Sequence, residues 1–309
     1  MKITVLYGGP SAEREVSLVS GRAVIDGLKR AGHDVFANDI SPDDLSALDR
    51  PADVVFPVLH GAWGESGDLQ EILESRGVAF VGSGSRASRL GMDKVATKLA
   101  WKKAGLPTPA WRVVSADDIE TTPLPRIDGP CVVKPVDSGS SIDVYVCKTG
   151  DQLAAHKAMY TVASKYGQAL VEQYVAGPEL TIGLLEEQPL APIHIVPKAE
   201  FFDYDAKYRS AETEHRFDTG LPPEVVTTCR ELAGKANAAI GARDLARIDV
   251  LLDAQHQPYL LEINTLPGFT PRSLLPEAAA HAGVDFVQLV DRLARRAYAR
   301  QQQLKRMAG

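Results

Sequence analysis

Short apolar runs alternating with longer amphipathic stretches set the pattern of the first third of the chain. Ile3 to Tyr7, Val35 to Asp39 and Val54 to Val58 are β-branched and short enough to be strands, while about Glu15 to Ala31 has helical spacing. Such alternation builds a parallel sheet covered by helices, and ligands of these sheets bind beyond the carboxyl ends of the strands. The turns at Gly8-Gly9-Pro10-Ser11 and His60 to Glu65 are therefore where chemistry is expected first. A helical stretch from Asp93 to Ala104 ends at Gly105-Leu106-Pro107-Thr108-Pro109, which predicts a change of domain nearby. The next stretch reads as a small α+β unit: strands over Cys131 to Lys134, Ile142 to Cys147, Leu170 to Tyr174 and Leu180 to Leu185, with a helix from Asp151 to Lys165. The last third predicts a polar, aromatic-rich loop (Ala199 to Arg216), a helix from Glu224 to Ile240, strands over Ala246 to Leu252 and Tyr259 to Ile263, and a terminal helix from Asp285. Gln301 to Arg306 reads as a solvated helix end that frays.

Composition narrows the class. With 309 residues the chain exceeds one small domain. The division expected is an α/β unit over residues 1–84 followed by two α+β units over 85–185 and 186–309. Apolar residues at 45%, charged residues at 24% and a formal charge of -6 fit an ordinary globular protein and give no reason to expect nucleic acid as a partner. No apolar stretch approaches the ~20 residues that span a bilayer, and the first residues read as a strand rather than a leader, so a cytoplasmic location and no membrane are expected. The three cysteines, Cys131, Cys147 and Cys229, have no metal-site spacing and sit among apolar neighbours, which predicts burial without a redox role.

Candidate chemistry concentrates in a few segments. Residues two apart on a strand share a face, so Glu262 and Asn264 point the same way and Asp249 can join them from a neighbouring strand. Two carboxylates and an amide form an all-oxygen set of the kind Mg²⁺ prefers; the alternative is a pair of polar strand positions facing solvent. Lys134 ends an apolar run and opens a loop of small residues (Ser138 to Ser141) whose backbone N–H groups can turn toward a phosphate. A lysine there is costly to bury without an anion. Lys94 is a weaker candidate of the same kind, with a helix-surface lysine as the plain alternative. Glu172, Tyr174 and Val175 close another apolar strand and could present a carboxylate, backbone groups and an apolar edge to adenine and ribose.

Taken together, the segments GGPSAEREVS (8–17), LHGAWGESG (59–67), GMDK (91–94), VVKPVDSGSS (132–141), EQYVAGPELT (172–181), EFFDYDAKY (200–208), RIDV (247–250) and LLEINTLPGFTPRSL (260–274) resemble, in order and over nearly the whole chain, the D-alanine–D-alanine ligases of the ATP-grasp superfamily. The resemblance implies three domains with ATP between the second and third, and joining of two D-alanines through a D-alanyl phosphate in the cytoplasm for peptidoglycan precursors. It also implies a homodimer and Mg²⁺, two ions, with Mn²⁺ able to substitute. It carries over Lys94, Lys134, Glu172, Tyr174, Val175 and Glu179 as nucleotide ligands, and Asp249, Glu262 and Asn264 as the metal site. Glu13 and His60 would receive the first D-alanine, and Lys207, Ser273 and Leu274 the second. Arg247 and the Gly268 N–H would stabilise the oxyanion, while Glu13, Ser140 and Tyr208 would latch a loop over the site. A relative joining D-alanine to D-lactate or D-serine, or one that binds nucleotide without catalysis, is the alternative. Three positions depart from the commoner pattern: Ser66, Ser138 and Asp143. Asp143 stands where a glycine is usual, so an aspartate is expected to disturb the phosphate loop and Asp143→Gly to leave turnover unchanged or lower the KM for ATP.

Overall fold

The structure is a computed structural model, and it describes residues 1–121, 129–139, 142–148, 151–196, 214–270 and 272–308. The first strands are β1 (Lys2–Tyr7), β2 (Asp34–Asp39) and β3 (Val54–Pro57), parallel and in the order β2-β1-β3. Helix α1 (Arg14–Arg30) makes the crossover between β1 and β2. Gly8 and Gly9 turn the chain out of β1 at φ 77° each, and a Cβ on Gly8 would collide with the Asp39 carboxylate, so this turn requires glycine.

Helices α2 (Asp68–Ser75), α3 (Ser85–Met92) and α4 (Lys94–Lys103) follow. Asp93 caps α4, its carboxylate accepting from the N–H groups of Val95 (2.8 Å) and Ala96 (2.9 Å). Next come β4 (Trp111–Ser115), α5 (Ala116–Thr121), β5 (Cys131–Pro135), β6 (Tyr145–Cys147), α6 (Gln152–Tyr166) and β7 (Gln168–Gln173). Their antiparallel sheet runs β4-β7-β5-β6. The strand expected from Ile142 begins only at Tyr145, because Asp143 adopts φ 54° and breaks the extended run.

The remaining strands are β8 (Glu179–Leu185), β9 (Gln188–Pro189), β10 (Ile193–Val196), β11 (Glu214–Arg216), β12 (Leu245–Leu252) and β13 (Pro258–Asn264). They form a second antiparallel sheet, β11-β10-β8-β12-β13 with β9 on β8. Helix α7 (Pro223–Ile240) covers it, and α8 (Leu274–His281) and α9 (Phe286–Ala308) close the chain. Among the described residues no helix is long and apolar enough to cross a membrane.

The apolar core shows which parts fold together. Ile3, Val5 and Phe56 of the first sheet pack in one cluster with Phe269, Leu275, Leu289 and Leu293, so the end of the chain returns to its beginning. Cys131 and Cys147 lie opposite one another on β5 and β6, and Cys229 lies on α7; all three are buried free thiols, as expected.

Helix α9 is also fastened by charge. Arg292 pairs with Glu186, Arg296 with Glu187 and Asp244, and Arg300 with Asp244, the spacing of four keeping these arginines on one face. The Asp244 carboxylate is fully buried and also accepts from the N–H of Gly82 (2.9 Å), while Arg300 donates to the carbonyl of Phe80 (2.8 Å). Gln301 donates to the carbonyl of Gly77 (2.8 Å), so the tail expected to fray is tied down at its start and exposed only beyond.

Candidate active site

A cleft opens where the carboxyl ends of the first sheet face β12 and β13. Glu13, His60, Gly61 and Glu65 line it from one side, Arg247, Glu262, Asn264 and Gly268 from another, and Gly91, Lys94, Ser138 and Gly139 along its edge. The loops that build the first wall are tightly fixed. Ser11 donates its hydroxyl to the carbonyl of His60 (2.5 Å) and accepts from the N–H of Glu13 (3.2 Å). His60 is 5% exposed, with Nδ1 3.2 Å from the Glu65 carboxylate and Nε2 3.3 Å from the Ser20 hydroxyl. Glu65 also accepts from the N–H of Gly61 (3.0 Å), which sits at φ 78° and where a Cβ would come within 2.7 Å of Glu13, so the position requires glycine. Glu65 was legible only as part of a quoted segment; its role in orienting His60 needs the folded loop.

The second wall follows from strand register. Asp249 lies opposite Glu262 and Arg247 opposite Asn264, so all four side chains share one face of the sheet, as alternation predicts. A bulge after Asp249 ends this register. Arg247 donates to both oxygens of Asp249 (3.0 and 2.9 Å), and the Thr181 hydroxyl adds a third bond at 2.6 Å. Asp249 is thus buried behind Arg247 rather than lining the cleft, while Glu262 and Asn264 do line it. Among the described residues no three His, Cys, Asp or Glu side chains converge as a metal site. The available donors are oxygen atoms of two carboxylates and one amide, a set that fits a hard divalent cation.

The Gly268 loop is anchored from both sides. The N–H of Phe269 donates to Ser20 (3.3 Å), and the ring packs edge-on against Phe56. Thr270 N–H donates to the hydroxyl of Ser273 (2.9 Å), which sits just before α8. Leu274 faces the apolar cluster of Ile193, Ile195 and Ala278, and neither it nor Ser273 lines the cleft. Ser140, Lys207 and Tyr208 lie outside the described residues.

Lys94 is buried, not on a helix surface. It donates its ammonium to the carbonyl of Ser138 (2.5 Å) and its backbone N–H to that of Val136 (3.0 Å), holding the start of the small-residue loop. Ser66 accepts from the N–H of Trp63 and donates to Asp68, so it serves its loop without a carboxylate. Lys134 and Glu172 meet in a buried ion pair on the β4-β7-β5-β6 sheet, and Lys98, which the sequence did not single out, joins the same carboxylate. Lys134, Glu172 and Lys98 are 5%, 2% and 0% exposed and do not line the cleft, nor do Tyr174, Val175 and Glu179. Burial would raise the Glu172 carboxyl, but Lys134 and Lys98 hold it below the usual range. Burial also pushes Lys98 down to about 8 against the opposing pull of Glu172.

Asp143 has its own partners. One carboxylate oxygen accepts from Lys165 (2.6 Å) and from the Tyr166 hydroxyl (2.5 Å) at the end of α6, and the Lys165 bond leads in keeping its carboxyl below the usual range. Its φ of 54° explains why glycine suits the position. Two hydrogen bonds to the charged form offset the strain of that backbone conformation.

With this geometry in hand, the chain can be set beside known proteins. Residues 37–83 match the family described as D-ala D-ala ligase N-terminus, and residues 100–295 that described as D-ala D-ala ligase C-terminus. The chain belongs to the D-alanine–D-alanine ligase family. A D-alanine–D-alanine ligase of Ectopseudomonas mendocina is 43% identical over 94% of this chain and 92% of its own length, and one of Gloeobacter violaceus is 42% identical over 95% and 98%. The crystal structure of the Bacillus anthracis ligase superposes with a TM-score of 0.84 at 30% identity over 99% of both chains. The structure of that ligase complexed with ATP superposes with a TM-score of 0.82 at 28% identity. Mixed α/β architecture, one parallel sheet and two antiparallel ones, is thus the architecture of the ligase family here.

Proposed function

We propose that this ligase-family chain joins two D-alanine molecules at the expense of ATP, through a D-alanyl phosphate, as an ATP-grasp enzyme of three units over residues 1–84, 85–185 and 186–309. Helices α3 and α4 and strand β8 pack across the second of these boundaries. The observation that carries the reading is the cleft itself, which sets Glu13 and His60, in the loops after β1 and β3, against Arg247, Glu262 and Asn264 of β12 and β13 and Gly268 of the loop that follows.

A carboxylate is a poor electrophile, so the first D-alanine must take the γ-phosphoryl group before an amine can attack it. Glu13, beside the backbone of Gly61, is placed to hold the ammonium of that D-alanine, with His60 oriented by Glu65 next to it. Attack by the second amine gives a tetrahedral oxyanion, which calls for a fixed cation and an N–H donor; Arg247, immobilised by Asp249, and the Gly268 N–H supply them. Lys94 and Lys134 would meet the phosphates. Glu262, Asn264 and Asp249 would hold Mg²⁺, which when bound neutralises phosphate charge. Asp249 would then have to share its oxygens between the ion and Arg247. In this reading the loop containing Lys207 and Tyr208 closes with Ser140 over the second substrate, whose neighbours are Ser273 and Leu274. The enzyme would act in the cytoplasm as a homodimer in building peptidoglycan precursors.

The test is phosphate release from ATP with and without D-alanine, with the product identified. Phosphate release that requires both D-alanine and Mg²⁺, with D-alanyl-D-alanine as product, is expected. Equal ATP turnover without D-alanine would sink the ligase reading, and mainly D-alanyl-D-lactate from an equimolar mixture would overturn the acceptor.

A further inference from the structure

Lys98 is among the largest side chains fully buried in the chain, and burying an ammonium needs a reason. It projects from α4 one turn after Lys94, and its ammonium meets one oxygen of Glu172 and the hydroxyl of Thr108 (2.5 Å). Thr108 in turn donates to the carbonyl of Leu260 (2.9 Å), so its hydroxyl is oriented to accept from the lysine. The other oxygen of Glu172 is taken by Lys134.

One buried carboxylate therefore carries two ammonium groups. The charges that face Lys98 are Glu172 on β7, Lys134 on β5 and, further off, Glu262 on β13. If Lys134 and Glu172 were the whole of this arrangement, the pair would already be neutral, and a third charge would only add a desolvation cost. A surplus buried positive charge is instead relieved when an anion arrives beside it. Lys134 cannot serve such an anion while it alone neutralises Glu172, since leaving would strand a buried carboxylate.

We infer that Lys98 is a positioning residue for the nucleotide: it serves as the standing counter-ion of Glu172, so that Lys134 is free to turn to the phosphates when ATP binds. The inference rests on the reading of Lys134 as a phosphate ligand. Lys98 itself touches no substrate. It holds Glu172 in place through the cycle, and Thr108 ties it to the strand that carries Glu262.

Replacing Lys98 by methionine keeps most of the length of the side chain and removes the charge. At saturating D-alanine, Lys98→Met should raise the KM for ATP about tenfold or more, with kcat within about threefold of wild type and the KM for D-alanine unchanged. Calorimetric binding of ADP with Mg²⁺ should weaken by the same factor. A second measurement needs no variant. Because anion binding favours protonated Lys98, ADP affinity in the wild type should be full below about pH 8 and fall about tenfold by pH 9.5. Wild-type ADP affinity flat across that range, or Lys98→Met with ADP affinity equal to wild type and only a lower Tm, would make Lys98 a structural ion and overturn the inference. No ADP binding by the wild type would remove the nucleotide site altogether, a distinct result.

Discussion

Two of the sheets are joined to the rest of the molecule in opposite ways. The parallel sheet shares one apolar cluster with the C-terminal helices and is fastened to them through buried Asp244, Arg296 and Arg300. The four-stranded sheet keeps a core of its own: Val114, Val133, Met159, Val162, Val171 and their neighbours all come from within residues 114–171. Its ties to α4 are polar, as in Lys94 to Ser138 and Lys98 to Glu172. The wall read as the D-alanine site is thus completed by folding itself. Of the residues read as nucleotide ligands, Lys134 and Glu172 belong to the sheet that keeps its own core, where Glu172 is 2% exposed, while Lys94 stands on α4 beside the larger one.

The largest effect should come from undoing the tight joint. Asp244→Asn keeps the backbone conformation at φ 66° tolerable but leaves Arg296 and Arg300 without their buried charge, at a cost of about 3–5 kcal/mol. Chemical denaturation should read that loss, and a change below about 1 kcal/mol would mean that the joint is held by apolar contact alone. Next, Arg247→Met removes the cation from the fixed wall. It should lower kcat by about two to three orders of magnitude with little change in ADP affinity. A loss confined to the KM for ATP would place Arg247 on the nucleotide side and blur the comparison. The smallest effect belongs to the self-contained sheet: Asp143→Gly gives up the bonds to Lys165 and Tyr166 but gains an easy positive φ. Steady-state kinetics should show the KM for ATP rising about two- to fivefold with kcat unchanged. A KM at or below the wild-type value would show that the aspartate disturbs its loop more than its bonds hold it.

Much of the architecture is written in local pattern. Short apolar runs located β1, β2, β3, β12 and β13, and alternation along β13 put Glu262 and Asn264 on one face, where register then placed Asp249 and Arg247. Helices α2 and α3 escaped because they are short and polar, with only Leu69, Gln70 and Leu73 buried in the first. Lys98 escaped for a different reason. On α4 it stands among Lys94, Lys102 and Lys103 and reads as one more solvated lysine, since its burial depends on β7 and β13. Asp143 stood out as a departure from the commoner pattern, but its partners are 22 and 23 residues further along and nothing local announces them.

The buried thiols give two of the apolar cores a clock. Cys131 and Cys147 sit inside the self-contained core, Cys229 on the buried face of α7 in the core it shares with α3, α4 and strands β8, β12 and β13, and burial pushes both Cys131 and Cys229 up to about 11. None reacts readily while its surroundings stay closed, so alkylation at each site is limited by how often that part of the molecule opens. A chain without a single introduced label therefore reports separately on the breathing of each core, with nucleotide or D-alanine as the brake.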